Sequence, residues 1–291
     1  EFSINTSFQD MTKHDFRIFL LKTLKNHYDK YRRILENILE YEPLFAPKAI
    51  KHYSLLMDEI LRKTLDLVIE HIHPLPNPTS SEKICVIAVG GYGRMEMAPF
   101  SDIDLLFLTP YKQTAWGESV IETILYILWD LKLKIGYSVR TVDDCIRLGK
   151  KDFTIRTAML EQRYLSGDKS LQLSLHKRLW QDLFQKSGSE FIEAKLEERA
   201  KRHAQHGGTR YMLEPNVKEG KGGLRDLQTL YWITKYLYNT SSTNELVAIG
   251  VFSKEEFSIF SEAEKFLWSV RCSLHLLSKR AGEQLNFNSQ V

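Results

Sequence analysis

Two short apolar runs, Ile84 to Val89 and Leu105 to Leu108, bracket Gly90-Gly91-Tyr92-Gly93-Arg94 and Ser101-Asp102-Ile103-Asp104. Each run is aliphatic or β-branched and reads as a buried strand. The first strand therefore ends in a glycine turn, and the second opens on two carboxylates two residues apart. Side chains at i and i+2 leave a strand on one face. Asp102 and Asp104 can thus reach one shared point, while Ile103 turns into the core. Two such carboxylates repel each other unless a cation lies between them. Mg²⁺ suits the place, because it takes oxygen ligands and bridges to phosphates. Glycine has no Cβ, so the backbone at Gly90 and Gly91 can come close to a ligand. Turn and pair together make a seat for a nucleoside triphosphate. The plain alternative is a tight turn beside a solvated Asp-x-Asp. Either feature alone would fit it, and the two together, bounded by strands, favour a phosphate and metal site.

Around this segment the pattern changes twice. Residues 10–41 and 47–73 carry apolar positions at three- and four-residue steps and predict helices, with Pro43 and Pro47 between them. The stretch 73–82 holds three prolines and several small polar residues, and marks the best boundary in the chain. Strands at 84–89, 103–108 and 135–141 follow, with a helix over 114–131 between the last two. Thr141 with Asp143 and Asp144 predicts a capped helix start. From 152 onward the pattern predicts only helices, over 152–165, 169–186, 189–206, 225–239, 243–249 and 253–280. The expectation is an α+β fold. It has an N-terminal helical region at 1–75, a three-stranded domain at 76–166 and a helical domain at 167–291.

Composition narrows the partners. With 43% hydrophobic and 26% charged residues the chain is ordinary for a globular protein. No apolar run reaches membrane-spanning length, and the opening EFSINTSFQDMTKHDF lacks a secretory pattern. Cys85, Cys145 and Cys272 have no metal or redox spacing and suit a reducing cytoplasm. A net charge of +3 gives no argument for nucleic acid. Basic residues do gather at 195–225, where Lys195, Arg199, Lys201, Arg202, Arg210, Lys218, Lys221 and Arg225 outnumber the acids. Over 190–206 a solvated helix face explains them, with pairs Glu197/Lys201 and Glu198/Arg202. That explanation fits less well at 216–225, where Gly220, Gly222 and Gly223 exclude a helix interior. This basic loop feeds a helix N-terminus, a natural phosphate seat, or is a glycine-rich connection with solvated charges.

Other residues allow two roles each. Arg94 suits a phosphate or an ion pair with Glu96. Ser101 suits phosphate or a turn cap. Tyr92 reads as packing. His14-Asp15 reads as a helix start, and His203-x-x-His206 lacks the companions of a zinc site. No Gly-x-Ser-x-Gly, Cys/His nucleophile pair or Walker loop is present.

The strand, Gly-Gly turn and Asp-x-Asp strand together resemble the nucleotidyltransferase superfamily that includes DNA polymerase β. VGGYGRMEMAPFSDIDLLFL is similar to the catalytic segment of the bacterial PII uridylyltransferase/uridylyl-removing family. DFTIRTAMLEQRYLSGD at 152–168, NVKEGKGGLRDLQTLYWI at 216–233 and, more faintly, LHLLSKRAGEQLNF at 274–287 extend the likeness. The resemblance implies a polymerase β-like core with a small mixed sheet, flanked by helices. It implies metals at Asp102 and Asp104, and UMP transfer from UTP to a tyrosine of the PII signalling protein. It places the 216–225 loop over the site, with Gly222 and Gly223 at the nucleotide, Lys218 and Arg225 near the nucleotide or the acceptor, and Asp226 orienting one of those two. Superfamily sites often add a third carboxylate from the next strand. Here KIGYSVR has none, which leaves Asp130, Asp143 and Glu161. Glu161 is preferred because it lies in a family-like block, against the alternative of a surface Glu. The family continues into HD and ACT domains, so the chain is expected to be a piece that transfers but does not remove UMP. Transfer to another acceptor, and nucleotide binding without catalysis, are the competing readings.

Overall fold

Every side chain of the strand Cys85–Ala88 (β1) is buried, because both faces of the sheet it lies in are covered. A computed structural model describes residues 11–111, 113–207, 211–240 and 245–290. Its sheet runs β3-β2-β1-β4, with β2 at Ile103–Thr109, β3 at Ile135–Thr141 and β4 at Arg163–Gly167. β1 is antiparallel to β2, with Ala88 opposite Leu105, and also to β4. β2 and β3 are parallel, with Asp104 opposite Gly136. The fold is the expected α+β class with a small mixed sheet.

β4 corrects the expectation of three strands and helices alone after 152. The helix there, Phe153–Leu160, stops at Glu161, and the chain turns back beside β1. Only Leu165 of β4 is buried, so this edge strand carries no alternation that a sequence pattern could reveal. Its identity comes from pairing with a distant partner.

The period of two along the strands sorts the core. Val86, Ala88, Ile103, Leu105 and Phe107 face one cluster. There they meet helices α1 (Lys13–Tyr41), α2 (Ala46–Leu67) and α4 (Ala115–Asp130), with Trp268 and Cys272 of the later helix 254–278. Cys85, Ile87, Leu106 and Leu108 face the other cluster. It is closed by α5 (Val142–Lys151), α6 (Phe153–Leu160), α7 (Lys169–Asp182), Phe191 of α8 (Gly188–Gln205) and Trp232 of α9 (Leu224–Tyr238). In this numbering α3 is the single turn Gly90–Gly93, α10 is Glu245–Ala248 and α11 is Lys254–Ser278. The expected helices match these within a few residues, except that 47–73 ends in a π-turn at Val68–Ile72 and 169–186 breaks before a 3₁₀ turn at Phe184–Lys186.

Local chemistry sets the helix starts. Thr12 accepts from the amide of Asp15, so the His14-Asp15 dipeptide opens α1 as a cap. Thr141 and Asp144 form a reciprocal capping box at α5. Pro47 sits in the first turn of α2, where its missing N–H costs nothing. The three cysteines are free and buried. Among the described residues no helix is long and apolar enough to cross a membrane.

Candidate active site

The glycine turn and the start of β2 open on a cleft of about 720 Å³, floored by the sheet and walled on its far side by α8, α9, α11 and residues 218–219. Asp102 lies exposed just before β2, and Asp104 is half-buried as its second residue. Both line the cleft, while Ile103 between them is buried in the opposite cluster. Gly90 takes a φ of +61°, and a Cβ there would stand 3.0 Å from Oδ2 of Asp104. A Cβ at Gly136 would stand 2.6 Å from Oδ1. The Asp104 carboxylate is therefore cradled between two backbones that only glycine lets so close. Burial pushes its carboxyl up, the neighbouring Asp102 adds to this, and Lys218 works against it.

That donor set fits a hard divalent cation. Two carboxylates share one open point, and oxygen donors are what Mg²⁺ takes. A third carboxylate is not brought to them: among the described residues no group of three His, Cys, Asp or Glu is placed to hold a metal. Glu161, expected as the third ligand, lines the same cleft but is engaged by other partners. Its buried carboxylate accepts from Nη1 of Arg94 at 2.5 Å and from the Trp232 indole. Asp130 pairs with Arg17 at 3.1 Å and Asp143 with Arg178 at 3.0 Å, both outside the cleft lining.

Arg94 takes the ion-pair role of its two options. Nε donates to Glu96 at 2.7 Å, and Gln228 of α9 donates to the same carboxylate at 3.1 Å. Burial opposes the charge on Arg94, but Glu161 and Glu96 outweigh it and push its pKa up. This network ties the glycine turn to α9. On the other side Tyr92 donates to the buried Asp58 of α2 at 2.8 Å. Arg163 of β4 donates to Asp58 at 2.6 and 3.0 Å, and to the carbonyls of Tyr92 and Gly93. The turn is thus clamped from both faces of the sheet. Asp58 was legible in one respect: it interrupts the buried stripe Ser54, Leu61, Leu65, and a carboxylate on such a stripe needs a partner.

The loop before α9 does fold onto the cleft. Lys218 and Arg225 line it together with Ser101, Gly90, Gly91 and the aspartates. Burial pushes the Lys218 ammonium down, aided by Arg271, while Glu283 opposes the change. Arg225 is held by Glu219 at 3.1 Å and by Gln228 at 3.0 Å. Gly222 and Gly223, expected near the nucleotide, shape the loop instead and do not line the cleft. The start of α9 is not an open phosphate seat either. The amides of Leu224, Arg225 and Asp226 already donate to the carbonyls of Val217, Lys218 and Gly223. Asp226 orients neither Lys218 nor Arg225. It accepts from Arg202 at 2.5 Å, His203 at 2.9 Å and the Gly222 amide at 2.8 Å, which anchors the loop to α8.

The solvated-face expectation for 190–206 holds only in part. Glu197 and Lys201 pair in the open at 2.7 Å. Glu198 pairs with Lys195 at 2.6 Å rather than with Arg202. Lys195 and Arg202 are buried, and Lys195 lies 4.8 Å from the Trp232 ring centre inside the cleft. Its burial against a helix far along the chain left no local signal. Arg210 lies outside the described residues.

Residues 190–291 match the family model described as GlnD PII-uridylyltransferase. A bifunctional uridylyltransferase/uridylyl-removing enzyme of Cereibacter sphaeroides is 57% identical over 89% of this chain and 28% of its own length. Its counterpart in Ruegeria pomeroyi is 59% identical over 86% of the chain and 27% of its length. That of Rhodopseudomonas palustris is 52% identical over 81% and 25%. The chain spans about a quarter of the length of these relatives.

Proposed function

Since the chain belongs to the bacterial PII uridylyltransferase family, we propose that its cleft transfers UMP from UTP to a tyrosine hydroxyl of a PII signalling protein, in the cytoplasm. Pyrophosphate leaves. The observation that carries the proposal is the meeting, in one cleft, of Asp102 and Asp104 with the Gly90-Gly91 turn and the cations Lys218 and Arg225. Phosphoryl transfer of this kind needs positioning and charge neutralisation more than covalent help from the protein. Each half of the site supplies one of these.

Asp102 and Asp104 would hold Mg²⁺, which when bound polarises the α-phosphate and eases deprotonation of the attacking hydroxyl. The Gly90 and Gly91 backbone lets the triphosphate lie close to the aspartates. Ser101 offers a hydroxyl at the same rim. Lys218 and Arg225 offset the charge that builds on the leaving pyrophosphate. The Asp58–Tyr92–Arg163 and Arg94–Glu161–Trp232 sets hold the turn still, so little reorganisation is needed at the moment of reaction.

The test is incubation of the chain with α-labelled UTP, purified PII protein and Mg²⁺, with and without chelator. Label on PII that disappears with chelator, and on replacing the acceptor tyrosine by phenylalanine, is the expected result. Absence of label on PII while pyrophosphate is released would move the acceptor elsewhere. Absence of both would overturn the proposal.

A further inference from the structure

The far wall of the cleft closes on a cluster that brings Arg271, which no quoted block contains, together with Lys218, His275 and Glu283. Glu283 accepts from Arg271 Nε at 2.9 Å and Nη2 at 2.8 Å. Lys218 Nζ lies 3.8 Å from it and His275 Nε2 lies 3.5 Å from it. Three basic side chains thus share one carboxylate. Arg271 and His275 are buried on one face of α11. The main chain around Lys218 is fixed by the same segment. Val217 donates to the Glu283 carbonyl at 2.9 Å, Leu285 donates to that of Pro215 at 2.9 Å, and Asn216 bridges to Gln284. Burial opposes the charge on Glu283, yet His275, Arg271 and Lys218 outweigh it and hold its carboxyl at about 2.

Donor capacity is left over. An ammonium has three N–H groups and a guanidinium five. Among the described residues no acceptor lies within hydrogen-bond distance of Lys218 Nζ, and none takes Nη1 of Arg271. Both side chains line the cleft that holds Asp102 and Asp104. Cations in excess, with open donors, across a cavity from a carboxylate pair suit a ligand that is anionic over several ångströms. A polyphosphate has that form, and a guanidinium fork matches its oxygens.

We propose that Glu283 is a positioning residue that holds Lys218 and Arg271 as a cationic pair, and that this pair binds the polyphosphate tail of the nucleotide across the cleft from Asp102 and Asp104. The inference rests on the nucleotidyl-transfer reading above. It adds Arg271 as a ligand and gives the 283–285 segment a role in substrate binding.

The experiment is calorimetric titration of the chain with a non-hydrolysable UTP analogue and, separately, with inorganic triphosphate, both with Mg²⁺. Arg271→Ala should weaken both ligands by about tenfold or more, the scale of a charged hydrogen bond. Arg271→Lys keeps the charge without the fork and should fall between, and Lys201→Ala should match wild type. Glu283→Gln has an opposite signature in its two readouts. Removing a competing negative charge should leave inorganic triphosphate as tightly bound as before or tighter, while kcat for PII uridylylation falls about tenfold because the donors are no longer aimed. Glu283→Gln should lower Tm in either case, since it breaks these pairs; a merely structural Glu283 would weaken both ligands together in parallel with that loss, which would overturn the positioning role. Folded Arg271→Ala and Arg271→Lys proteins that bind both ligands like wild type would overturn the pair. Wild-type protein that binds no UTP analogue would overturn the nucleotidyl-transfer reading itself, and this inference with it.

Discussion

The two walls of the cleft are built on different principles. The sheet wall is largely local: the turn at 90–93 and the pair Asp102 and Asp104 lie within fifteen residues, and β3 adds Gly136, Tyr137, Ser138 and Arg140. The helical wall gathers Lys195, Lys218, Arg225, Trp232, Arg271 and Glu283 from α8, α9, α11 and two loops. The sheet wall leaves like charges facing each other, and burial makes the ionisation of Asp104 costly. On the helical wall each of these cations is set beside a carboxylate. The first wall therefore stores repulsion that a ligand relieves. The second pairs its cations internally but keeps donors open on Lys218 and Arg271, so a ligand there fills unused donors and has no repulsion to relieve.

The largest expected effect breaks this contrast at the sheet wall. Asp102→Asn and Asp104→Asn each keep size and remove charge. On the proposed function, uridylylation of PII should fall by about 10³-fold or more, because charge stabilisation worth several kcal/mol is lost. Stability should move the other way for Asp104→Asn. Its carboxyl is pushed up in the folded protein, so the ionised form is the costlier one, and the stability it costs is felt above the ordinary carboxylate range. The urea midpoint at pH 8 should match or exceed wild type. A variant that is both inactive and less stable would show that Asp104 is a structural residue.

Next comes Glu161, where the helical wall and the turn join. Glu161→Gln leaves the buried Arg94 with one partner fewer and should cost about 3 kcal/mol in denaturant unfolding. The Mg²⁺ concentration giving half-maximal rate should not change. A raised Mg²⁺ requirement with unchanged stability would restore Glu161 as a metal ligand and erase the distinction between the walls.

These two walls also explain what could be read from the chain. The strands β1 to β3, the turn and the aspartate pair are legible because each depends on neighbours in sequence. Tyr92 is buried as packing, as expected, but its partners Asp58 and Arg163 come from α2 and β4. Gly136 could not be singled out, since its closeness to Asp104 depends on the parallel register of β2 and β3. β4 was missed because an edge strand with one buried residue lacks alternation. Lys195 looked like a helix-face residue because its (i,i+3) partner Glu198 is local, while Trp232 that covers it is not. Asp226 was read as aimed at its loop neighbours, yet its partners Arg202 and His203 come from α8.

Lys195→Ala sharpens the point at smaller scale. A buried cation against an indole is worth on the order of 1–2 kcal/mol, so kcat/KM for UTP should drop about tenfold. Lys201→Ala, on the open face of the same helix and paired at 2.7 Å with Glu197, should leave the rate unchanged. Equal effects from the two would return the whole of α8 to the solvated-face reading.

The smallest effect concerns Glu264 of α11, an acid on a helix of this wall but outside the cleft lining. Burial pushes its carboxyl up to about 7, the nearby Glu96 adds to this, and Arg94 and Lys51 pull against it. Among the described residues nothing donates a hydrogen bond to it. The folded-state value lies above the ordinary glutamate range, so the protonated form favours the fold. That stabilisation is complete below about pH 4 and is lost as pH rises toward and through about 7. Glu264→Gln removes the titration and should flatten this part of the stability profile. At pH 8 it should raise unfolding free energy by about 1 kcal/mol, with little change in uridylylation rate. Such a gain would mark Glu264 as an exception to the pairing along the helical wall. A loss at pH 8 would instead mean that its ionised form is held by a cation, and that the helical wall is paired throughout.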